Sequence, residues 1–493
     1  MSREANIREP ESVGPGPIKD DDPPIGGMRA MSTMMEADPP IAPSVDNRPL
    51  LNELRSTLRL AVPVVASELG WMLMAVVDTW MVSHLGPEAV GAAGLGGMLF
   101  FVGSVFGFGL LMGLDPMVSQ AFGAGDRMSC RRSLWQGLYV SAILTPPAMA
   151  GIWAIVPLMG PWGIQPKVAA LTGPYLNTIC WSIGPLYAYI SLRHYLQAHG
   201  RTAAMLWALF LGNLLNWLGN WLLIDGRFGL PAMGLQGSAW STLVARFFMP
   251  LVLAVDVWRI IPHSGRFGPI DPWDWSRVKK LVRVGTPTGI QFSLEVGVFG
   301  LAAAWVGQLE ASALAAHQIV MNYASTTFMV PMGIASASSV RVGQAIGRRD
   351  PSGARRAGWT GLGLGTTFMA LAAVTFAVAP RWLVGQFSTD TSVLQVGVAL
   401  MYLAAVFQLF DGVQVTCSGV LRGAGETRLP MLGNLLAHWL IGLPIAYVLG
   451  IRLKWGAVGV WVGLTAGLIA VAFTLLEVWR RKSHAMEQIE PLG

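Results

Sequence analysis

The chain has 493 residues, of which 53% are hydrophobic and only 13% are charged. Soluble domains carry about 25% charged residues, so this composition excludes a soluble protein and predicts one that crosses the membrane many times. The net charge of +6 does not indicate a nucleic-acid partner, because the basic residues lie in short segments between apolar runs and form no single patch. The three cysteines are odd in number, so they predict no disulfide framework.

Residues 1–48 differ from the rest of the chain. They are rich in Pro, Gly, Asp and Glu, with five Lys/Arg against nine Asp/Glu, and they contain no apolar core of a signal peptide. Such a composition predicts a disordered cytoplasmic tail.

About twelve apolar runs then follow, each of roughly 20 residues or more, which is the length that crosses a bilayer. This pattern predicts an all-α integral membrane protein with twelve transmembrane helices in two six-helix lobes around a central cleft. The predicted lobes are 49–263 and 277–482, with a cytoplasmic linker at 264–276 and a second cytoplasmic tail at 483–493. The predicted spans are 51–84, 87–122, 130–159, 166–198, 202–225, 233–262, 277–309, 311–347, 353–379, 389–421, 427–450 and 456–480.

The basic residues between these spans predict the orientation. With the N-terminus inside, the inner segments hold twenty Lys/Arg and the outer segments hold five. Because positive residues concentrate on the cytoplasmic side, we expect both termini in the cytoplasm and the protein in the inner membrane.

The chain also repeats itself at an offset of 224 residues. The stretch VSQAFGAGD at 118–126 matches VGQAIGRRD at 342–350, and RRSLWQGL at 131–138 matches RRAGWTGL at 355–362. Further on the offset drifts slightly, to 221, where Gly212-Asn213-Leu214-Leu215 matches Gly433-Asn434-Leu435-Leu436. Six helices per copy is an even number, so the copies enter the membrane from the same side, and substrate is expected between them near the midplane.

Few carboxylates lie well inside the predicted spans, and each is a candidate functional residue because an unpaired charge there costs roughly 2.5–3.5 kcal/mol or more. No Lys or Arg is expected at the same depth, since Arg246 and Arg341 are placed nearer the cytoplasmic ends, where a long side chain reaches water. The interior is therefore expected to be net acidic and to suit a cation. The five acids are Glu68, Asp78, Asp115, Glu295 and Asp411.

Three of these acids, Asp78, Glu295 and Asp411, lie on the first, seventh and tenth helices, so both lobes contribute. A buried carboxylate of this kind either loads and releases a proton or holds a partly dehydrated sodium ion. Asn216 and Asn220 are four residues apart and share a helix face, where a packing role and a role in the cavity remain equally open. Asp115 precedes Pro116 and either caps a helix break or functions in transport, and the surroundings of Glu68 do not decide its role.

The stretches 77–96 (VDTWMVSHLGPEAVGAAGLG), 315–347 and 407–423 (FQLFDGVQVTCSGVLRG) resemble the multidrug and toxic-compound extrusion (MATE) family, most of all its bacterial NorM-like branch. The resemblance covers residues 51–480. It implies an antiporter that exports organic cations against sodium or proton entry, with Asp78, Glu295 and Asp411 on the family's functional acids and Asn216 and Asn220 on a pair in the fifth helix. A sodium ion is then expected at Glu295 and Asp411. Asp115 and Glu68 have no counterpart in that pattern.

Two other functions are weighed against drug export. A flippase for a lipid-linked sugar would need a basic cavity for its pyrophosphate, and the mid-span acids argue against it. An enzyme or receptor is disfavoured because the repeat is of a transporter type and the sequence has no phosphate loop, nucleophile elbow or HExxH motif. The expected partners are small organic cations, sodium or protons and membrane lipids, with no further cofactor and with a monomer as the transporting unit.

Overall fold

In the computed structural model, the structure describes residues 49–261 and 270–487. Within these two ranges the chain folds into helices and contains no strand. The predicted tail at 1–48, the first part of the linker at 264–269 and the last residues of the chain at 488–493 lie outside the described residues.

The described residues form twelve helical segments, which confirms the predicted fold class. Nine of the segments in the described ranges are long and apolar enough to cross a membrane by length and hydropathy alone. We label the segments α1 Pro49–Val82, α2a Pro87–Leu111, α2b Leu114–Gly123, α3 Arg127–Ile155, α4a Pro166–Ile179, α4b Ile183–Ala198, α5 Thr202–Leu223, α6 Leu235–Ile260, α7 Trp275–Gly307, α8 Ala311–Gly347, α9 Pro351–Val378, α10 Thr391–Gly423, α11 Arg428–Arg452 and α12 Gly456–Glu487.

Apolar stripes on the outer surface explain why these helices are stable in a bilayer. On α1 the exposed residues Leu69, Leu73, Val76 and Trp80 recur at helical spacing. A helix satisfies its own backbone hydrogen bonds, so a lipid-facing stripe of this kind costs nothing in hydrocarbon. The polar side chains are correspondingly turned inward.

Three of the predicted continuous spans are irregular inside the bundle. The second span breaks at Met112 and Gly113, two residues before the Asp115-Pro116 pair at which the proline was expected to interrupt the helix ladder. The fourth span breaks at a 3₁₀ turn over Cys180–Ser182. In α11 the stretches Leu435–Gly442 and Val448–Arg452 are π-helical, a conformation that is frequent at functional sites.

The sequence repeat is also present in the helix caps. Asp126 caps α3 by accepting a hydrogen bond from the Ser129 backbone N–H at 2.8 Å, and Asp350 caps α9 by accepting from the Gly353 N–H at 2.7 Å. The two aspartates are 224 residues apart. The Ser129 hydrogen bonds lower the pKa of Asp126, which lies outside the spans.

Contacts between the two halves follow the same symmetry. A Cβ atom added to Gly123 on α2b would lie 2.1 Å from the Gln344 carbonyl oxygen on α8, and one added to Gly347 would lie 2.0 Å from the Gln120 carbonyl oxygen. Adding 224 to the number of Gly123 gives Gly347, and subtracting 224 from the number of Gln344 gives Gln120. Each contact is therefore the repeat's counterpart of the other. The halves are therefore related by a pseudo-two-fold axis that brings the same ends of α2 and α8 together, as parallel repeats require.

The end of the bundle where α1 begins and α12 ends, which we call the terminal face, is closed by bonds between the halves. Arg341 donates to both carboxylate oxygens of Glu53, at 3.0 and 2.7 Å. The Gln344 amide donates to the Ala198 carbonyl oxygen at 2.9 Å, and the Gln120 amide donates to the Gly423 carbonyl oxygen at 3.0 Å. Arg341 therefore forms an ion pair across the halves instead of reaching freely into water.

The opposite end of the bundle is open between α2a and α7. Nearer the terminal face the two helices touch, because a Cβ on Gly109 of α2a would lie 2.7 Å from the Cα of Gly289, and one on Gly113 in the break of α2 would lie 2.9 Å from the Cα of Gly285. Towards the opposite end, a Cβ on Gly94 or on Gly300 would meet no described atom within 4 Å. The two halves thus enclose a cleft that is sealed at the terminal face and open away from it.

Candidate functional site

Asp78 lies inside the first half, where it accepts hydrogen bonds from two other helices. Its Oδ1 accepts from the side-chain amides of Asn216 at 2.9 Å and Asn220 at 2.6 Å on α5. Its Oδ2 accepts from the Thr242 hydroxyl on α6 at 3.0 Å. Both amides reach one carboxylate oxygen because their spacing of four residues places them on one helix face.

Glu295 on α7 occupies a comparable position inside the second half. Its Oε1 accepts from the amides of Gln291 at 3.1 Å, Gln414 at 2.8 Å and Asn434 at 2.6 Å. Asn434 is the last residue before the first π-helical stretch of α11. No donor among the described residues bonds to Oε2, so one side of this carboxylate is left for another ligand.

Asp411 on α10 is buried and has no hydrogen-bond donor among the described residues. The group that acts on it electrostatically is Glu295. The buried carboxylate of Asp411 and the partly buried one of Glu295 repel each other unless a proton or a cation lies between them. A proton or a metal cation bound between Glu295 and Asp411 would remove this repulsion.

The oxygen atoms around this pair suit a sodium ion. Glu295 Oε2 and the Asp411 carboxylate supply anionic oxygens, and the Asn434 Oδ1 is buried without a hydrogen-bond partner. Hard cations prefer such carboxylate and amide oxygens. The described residues hold no group of three or more His, Cys, Asp or Glu that could bind a metal, so amides would have to complete the shell.

The three family-type acids form two clusters. Every hydrogen bond to Asp78 comes from the first half, whereas every hydrogen bond to Glu295 comes from the second half. Glu295 also lines a small cavity between the halves, together with Glu68, Met112, Gln291, Ser418 and Arg422. The site is thus divided between the lobes, and only the Glu295 cluster reaches this cavity.

The expectation that no base lies at the depth of the acids is wrong. Glu68 on α1 forms a buried ion pair with Arg193 of α4b. Both side chains are about 93% covered, with exposed fractions of 7% and 6%. Arg193 is one of the twenty basic residues that the sequence assigns to the inner segments, but it lies inside α4b.

Asp115 is also paired, and it does not act as a cap of the break before Pro116. No side-chain cap is found at the start of α2b. Instead Asp115 Oδ2 accepts from Arg422 Nε of α10 at 3.2 Å, and its Oδ1 lies 2.5 Å from His194 Nδ1 of α4b. Arg422 is likewise buried and is not a loop charge. Without Arg193 and Arg422, the inner segments still hold eighteen basic residues against five.

Arg246 is the third base whose depth in the membrane was predicted wrongly. It is the twelfth residue of α6, near the middle of the helix, and its guanidinium lies 4.5 Å above the Phe100 ring. Its Nη1 donates to the Ser182 hydroxyl at 2.9 Å, and it acts electrostatically on Asp78. The side chain therefore points into the first half and does not extend to a membrane surface.

Sequence reasoning also missed the neutral partners of the acids. Thr242, Gln291 and Gln414 lie on helices whose register with Asp78 or Glu295 depends on tertiary packing. Asn434 was the one partner with a signal, because it lies in the GNLL repeat. Its counterpart Asn213 donates to backbone carbonyls of Gly70 and Leu209 and does not reach an acid.

Comparison with known proteins agrees with the duplicated architecture. The model of the MatE family matches the chain twice, at residues 63–222 and 287–448, and the two matches begin 224 residues apart. The chain belongs to the MATE family. It is a multi-pass membrane protein, and the family match covers Asp78 with its two asparagines and the Glu295–Asp411 pair.

Curated relatives extend over most of the chain. A probable multidrug resistance protein NorM of Mesorhizobium japonicum is 34% identical over 88% of this chain and 94% of its own length. Proteins of the same description from Bradyrhizobium diazoefficiens and Rhodopseudomonas palustris are 36% and 37% identical, each over 87% of this chain, and the matches cover 94% and 91% of those proteins.

Solved structures agree in fold. The eukaryotic MATE transporter AtDTX14 superposes with a TM-score of 0.80 at 20% identity, over 89% of this chain and 99% of its own. An outward-facing multidrug resistance MATE transporter gives a TM-score of 0.78 at 18% identity, over 91% of this chain and all of its own.

Proposed function

We propose that this protein is a secondary active antiporter that exports organic cations and other drugs in exchange for sodium ions or protons. The incomplete pair of Glu295 and Asp411 carries the proposal, because a buried carboxylate without a donor needs a cation or a proton. The family and the names of the NorM relatives support multidrug substrates.

Alternating access fits the cleft between the halves. The cleft is sealed at the terminal face, and in the orientation favoured by the basic residues this face is cytoplasmic, with both termini inside and the chain in the inner membrane. The described state then faces outward. Both halves belong to one chain, so we propose that a monomer is sufficient for transport.

In this cycle the coupling ion enters the outward-open cleft and binds at Glu295 and Asp411, with the amides of Gln291, Gln414 and Asn434 holding Glu295 in place. Binding removes the repulsion between the two acids. Opening of the terminal face then exposes the ion to the cytoplasm, where it leaves and a drug takes its place. The Asp78 cluster offers a second acid for the drug's cationic group or for a proton.

The flippase alternative is less well supported, although bases do lie inside the bundle. A lipid pyrophosphate would need free positive charge in the cavity between the halves. Arg422 lines this cavity and Arg193 pairs with Glu68 on its wall, but each arginine is neutralised by an acid at hydrogen-bond distance. An enzymatic function has no support from the sequence motifs.

Transport in proteoliposomes tests the proposal. Ethidium uptake or release is driven separately by an imposed sodium gradient and by an imposed pH gradient, for the wild type and for Asp411→Asn. We expect one gradient to drive transport in the wild type and neither to do so in the variant. Transport by Asp411→Asn at the wild-type rate under both gradients would refute the central role of this acid.

A further inference from the structure

Arg246 carries an unused hydrogen-bonding edge in the first half of the bundle. Its Nη1 is bonded to Ser182, whose hydroxyl in turn donates to the Ile179 carbonyl oxygen at the break in α4. Its Nε is buried without a hydrogen-bond partner. No acceptor among the described residues bonds to its Nη2 either, so the Nε/Nη2 edge of the guanidinium is open.

The same edge binds carboxylates elsewhere in this protein. Arg131 donates from Nε and Nη2 to the two oxygens of Asp271, each at 2.8 Å. Arg201 does so to Asp256 at 2.9 and 2.7 Å. The parallel N–H groups of this edge match the spacing of the two carboxylate oxygens. Arg246 presents the same edge with no carboxylate on it.

The nearest acid does not fill this role. Asp78 acts electrostatically on Arg246, but its oxygens already accept from Asn216, Asn220 and Thr242. A partly buried arginine that has only a serine hydroxyl as a polar partner is costly at mid-membrane depth, and such residues mark substrate pathways. The missing partner is therefore expected to come from outside the chain.

The position of the side chain selects the kind of ligand. The lipid-facing stripe of α6 carries Trp240, Val244, Phe247 and Leu251, and Arg246 lies on the other side of the helix. Its guanidinium is 4.5 Å from the Phe100 ring and 6.0 Å from the Trp71 ring, and Trp71 is partly exposed. A ligand here reaches the arginine from inside the bundle, past aromatic walls, which does not suit a lipid headgroup.

We propose that Arg246 is a specificity residue that binds the carboxylate of zwitterionic aromatic substrates. Asp78 or Glu295 would then hold the cationic group of such a substrate, while Arg246 admits the anionic group that an all-acidic cavity would repel. This inference rests on the proposed export function, and it assigns the residue that takes the anionic group of a substrate that also carries a cationic group.

Two dyes that differ in one group test the inference. Rhodamine B carries a free carboxylate on a cationic ring system, and its ethyl ester has the same ring system with that charge removed. For Arg246→Gln in proteoliposomes we expect kcat/KM for rhodamine B to fall about tenfold or more, because a charged hydrogen bond is lost. Transport of the ethyl ester should stay within about twofold of the wild type.

Arg227→Gln is the matched control, because Arg227 is also an arginine over an aromatic ring, 4.7 Å from the Trp221 centroid, but on the exposed surface. This substitution should change the transport of neither dye. Arg246→Lys keeps the charge without the fork and should fall between the wild type and Arg246→Gln for rhodamine B alone.

Three results would overturn the inference: equal loss of both dyes in Arg246→Gln, no change for rhodamine B, or a wild type that moves only the ester. The first would assign Arg246 to the support of Asp78. Direct binding of each dye to the purified protein, monitored by fluorescence anisotropy, separates the proposal for Arg246 from the proposed export function. If the wild type transports neither dye nor ethidium, export fails, whereas the ratio of rhodamine B affinities between wild type and Arg246→Gln still decides the role of Arg246.

Discussion

The ion pair of Asp115 and Arg422 is expected to hold the terminal face closed. Asp115 belongs to α2b in the first half and Arg422 to α10 in the second half, and Asp115 Oδ2 and Arg422 Nε are 3.2 Å apart. His194 makes a second contact with this acid, with its Nδ1 2.5 Å from Asp115 Oδ1. Because the bond joins the halves, it has to break when this face opens. Asp115→Asn should therefore destabilise the closed state more than the open one.

The burial of both groups sets the size of the effect. Asp115 has no exposed surface and the Arg422 side chain is 8% exposed. Removing one partner of a buried pair costs about 3–5 kcal/mol, because the other charge is left without a partner. In the open state Arg422 reaches water and bears little of this cost. Since about 1.4 kcal/mol is a tenfold change, the open population should rise by roughly 100-fold or more, and by at least about tenfold if Arg422 rearranges.

Labelling of a cysteine inside the face measures this population. Ser336 is buried and accepts a hydrogen bond from the Gln197 amide of the other half at 2.8 Å. Ser336→Cys is nearly isosteric, and it is introduced after the three buried native cysteines Cys130, Cys180 and Cys417 are changed to alanine. The initial rate of N-ethylmaleimide labelling should rise at least about tenfold in Asp115→Asn.

The double variant Asp115→Asn/Arg422→Gln distinguishes charge from packing. It removes both charges, and replacing both partners of a buried pair is far less costly than removing one. Its labelling rate should return most of the way to the wild-type rate. Equal labelling of wild type and Asp115→Asn in folded, monodisperse protein would refute the reasoning, and so would a double variant that labels as fast as the single one.

Three further outcomes are expected. Gly113→Val should prevent tight closure of α2 on α7, since even a Cβ would lie 2.9 Å from the Gly285 Cα. Ethidium transport should fall at least about tenfold, while Gly94→Val, whose Cβ points into open space, should transport normally, and equal rates for the two would contradict the contact. Asn434→Ala removes the shortest amide hydrogen bond to Glu295, which is 2.6 Å long. Because a hydrogen bond to a charged group contributes about 1.5–3 kcal/mol, the affinity for the coupling ion, measured by isothermal titration calorimetry, should weaken about tenfold. An unchanged dissociation constant would exclude Asn434 from the ion site. Asn220→Ala should impair ethidium transport and Asn213→Ala should not, because Asn220 alone of the two bonds to Asp78; equal activities would remove Asp78's amide shell from the mechanism.

Hydropathy and the repeat predicted the fold because both can be read from the order of residues along the chain, without knowledge of which helices pack together. An apolar run of about 20 residues has few alternatives to a membrane helix. The offset between Asp126 and Asp350 likewise appeared as two equivalent helix caps. The break after Leu111 was expected from Pro116, whose ring clashes with the carbonyl of Met112 four residues earlier. The 3₁₀ turn at Cys180–Ser182 has the same cause, because Pro185 lies four residues after Trp181, although the span 166–198 was predicted as continuous.

The ion pairs were missed because their partners are far apart in sequence. Arg422 follows Asp115 by 307 residues. A count of the basic residues between spans does not distinguish a base in a loop from a base at a helix end whose side chain points into the bundle. Asn216 and Asn220 could be placed on one face because their relation is local. Their common partner Asp78, about 140 residues earlier, was already a candidate as a mid-span acid, but nothing in the sequence paired it with the two asparagines.

The closing contacts are symmetric, but the charges are not. By the offsets of the repeat, the counterpart of Asp115 is Ser339, and Gly200 matched to Gly425 places Gln197 opposite Arg422. The axis passes close to these positions, since a Cβ on Gly343 would lie 2.0 Å from Oγ of Ser119, its own counterpart. Identical charges in both halves would therefore bury like charges near each other. One acid from the first half and one base from the second avoid that repulsion, and they let a single pair join the two halves.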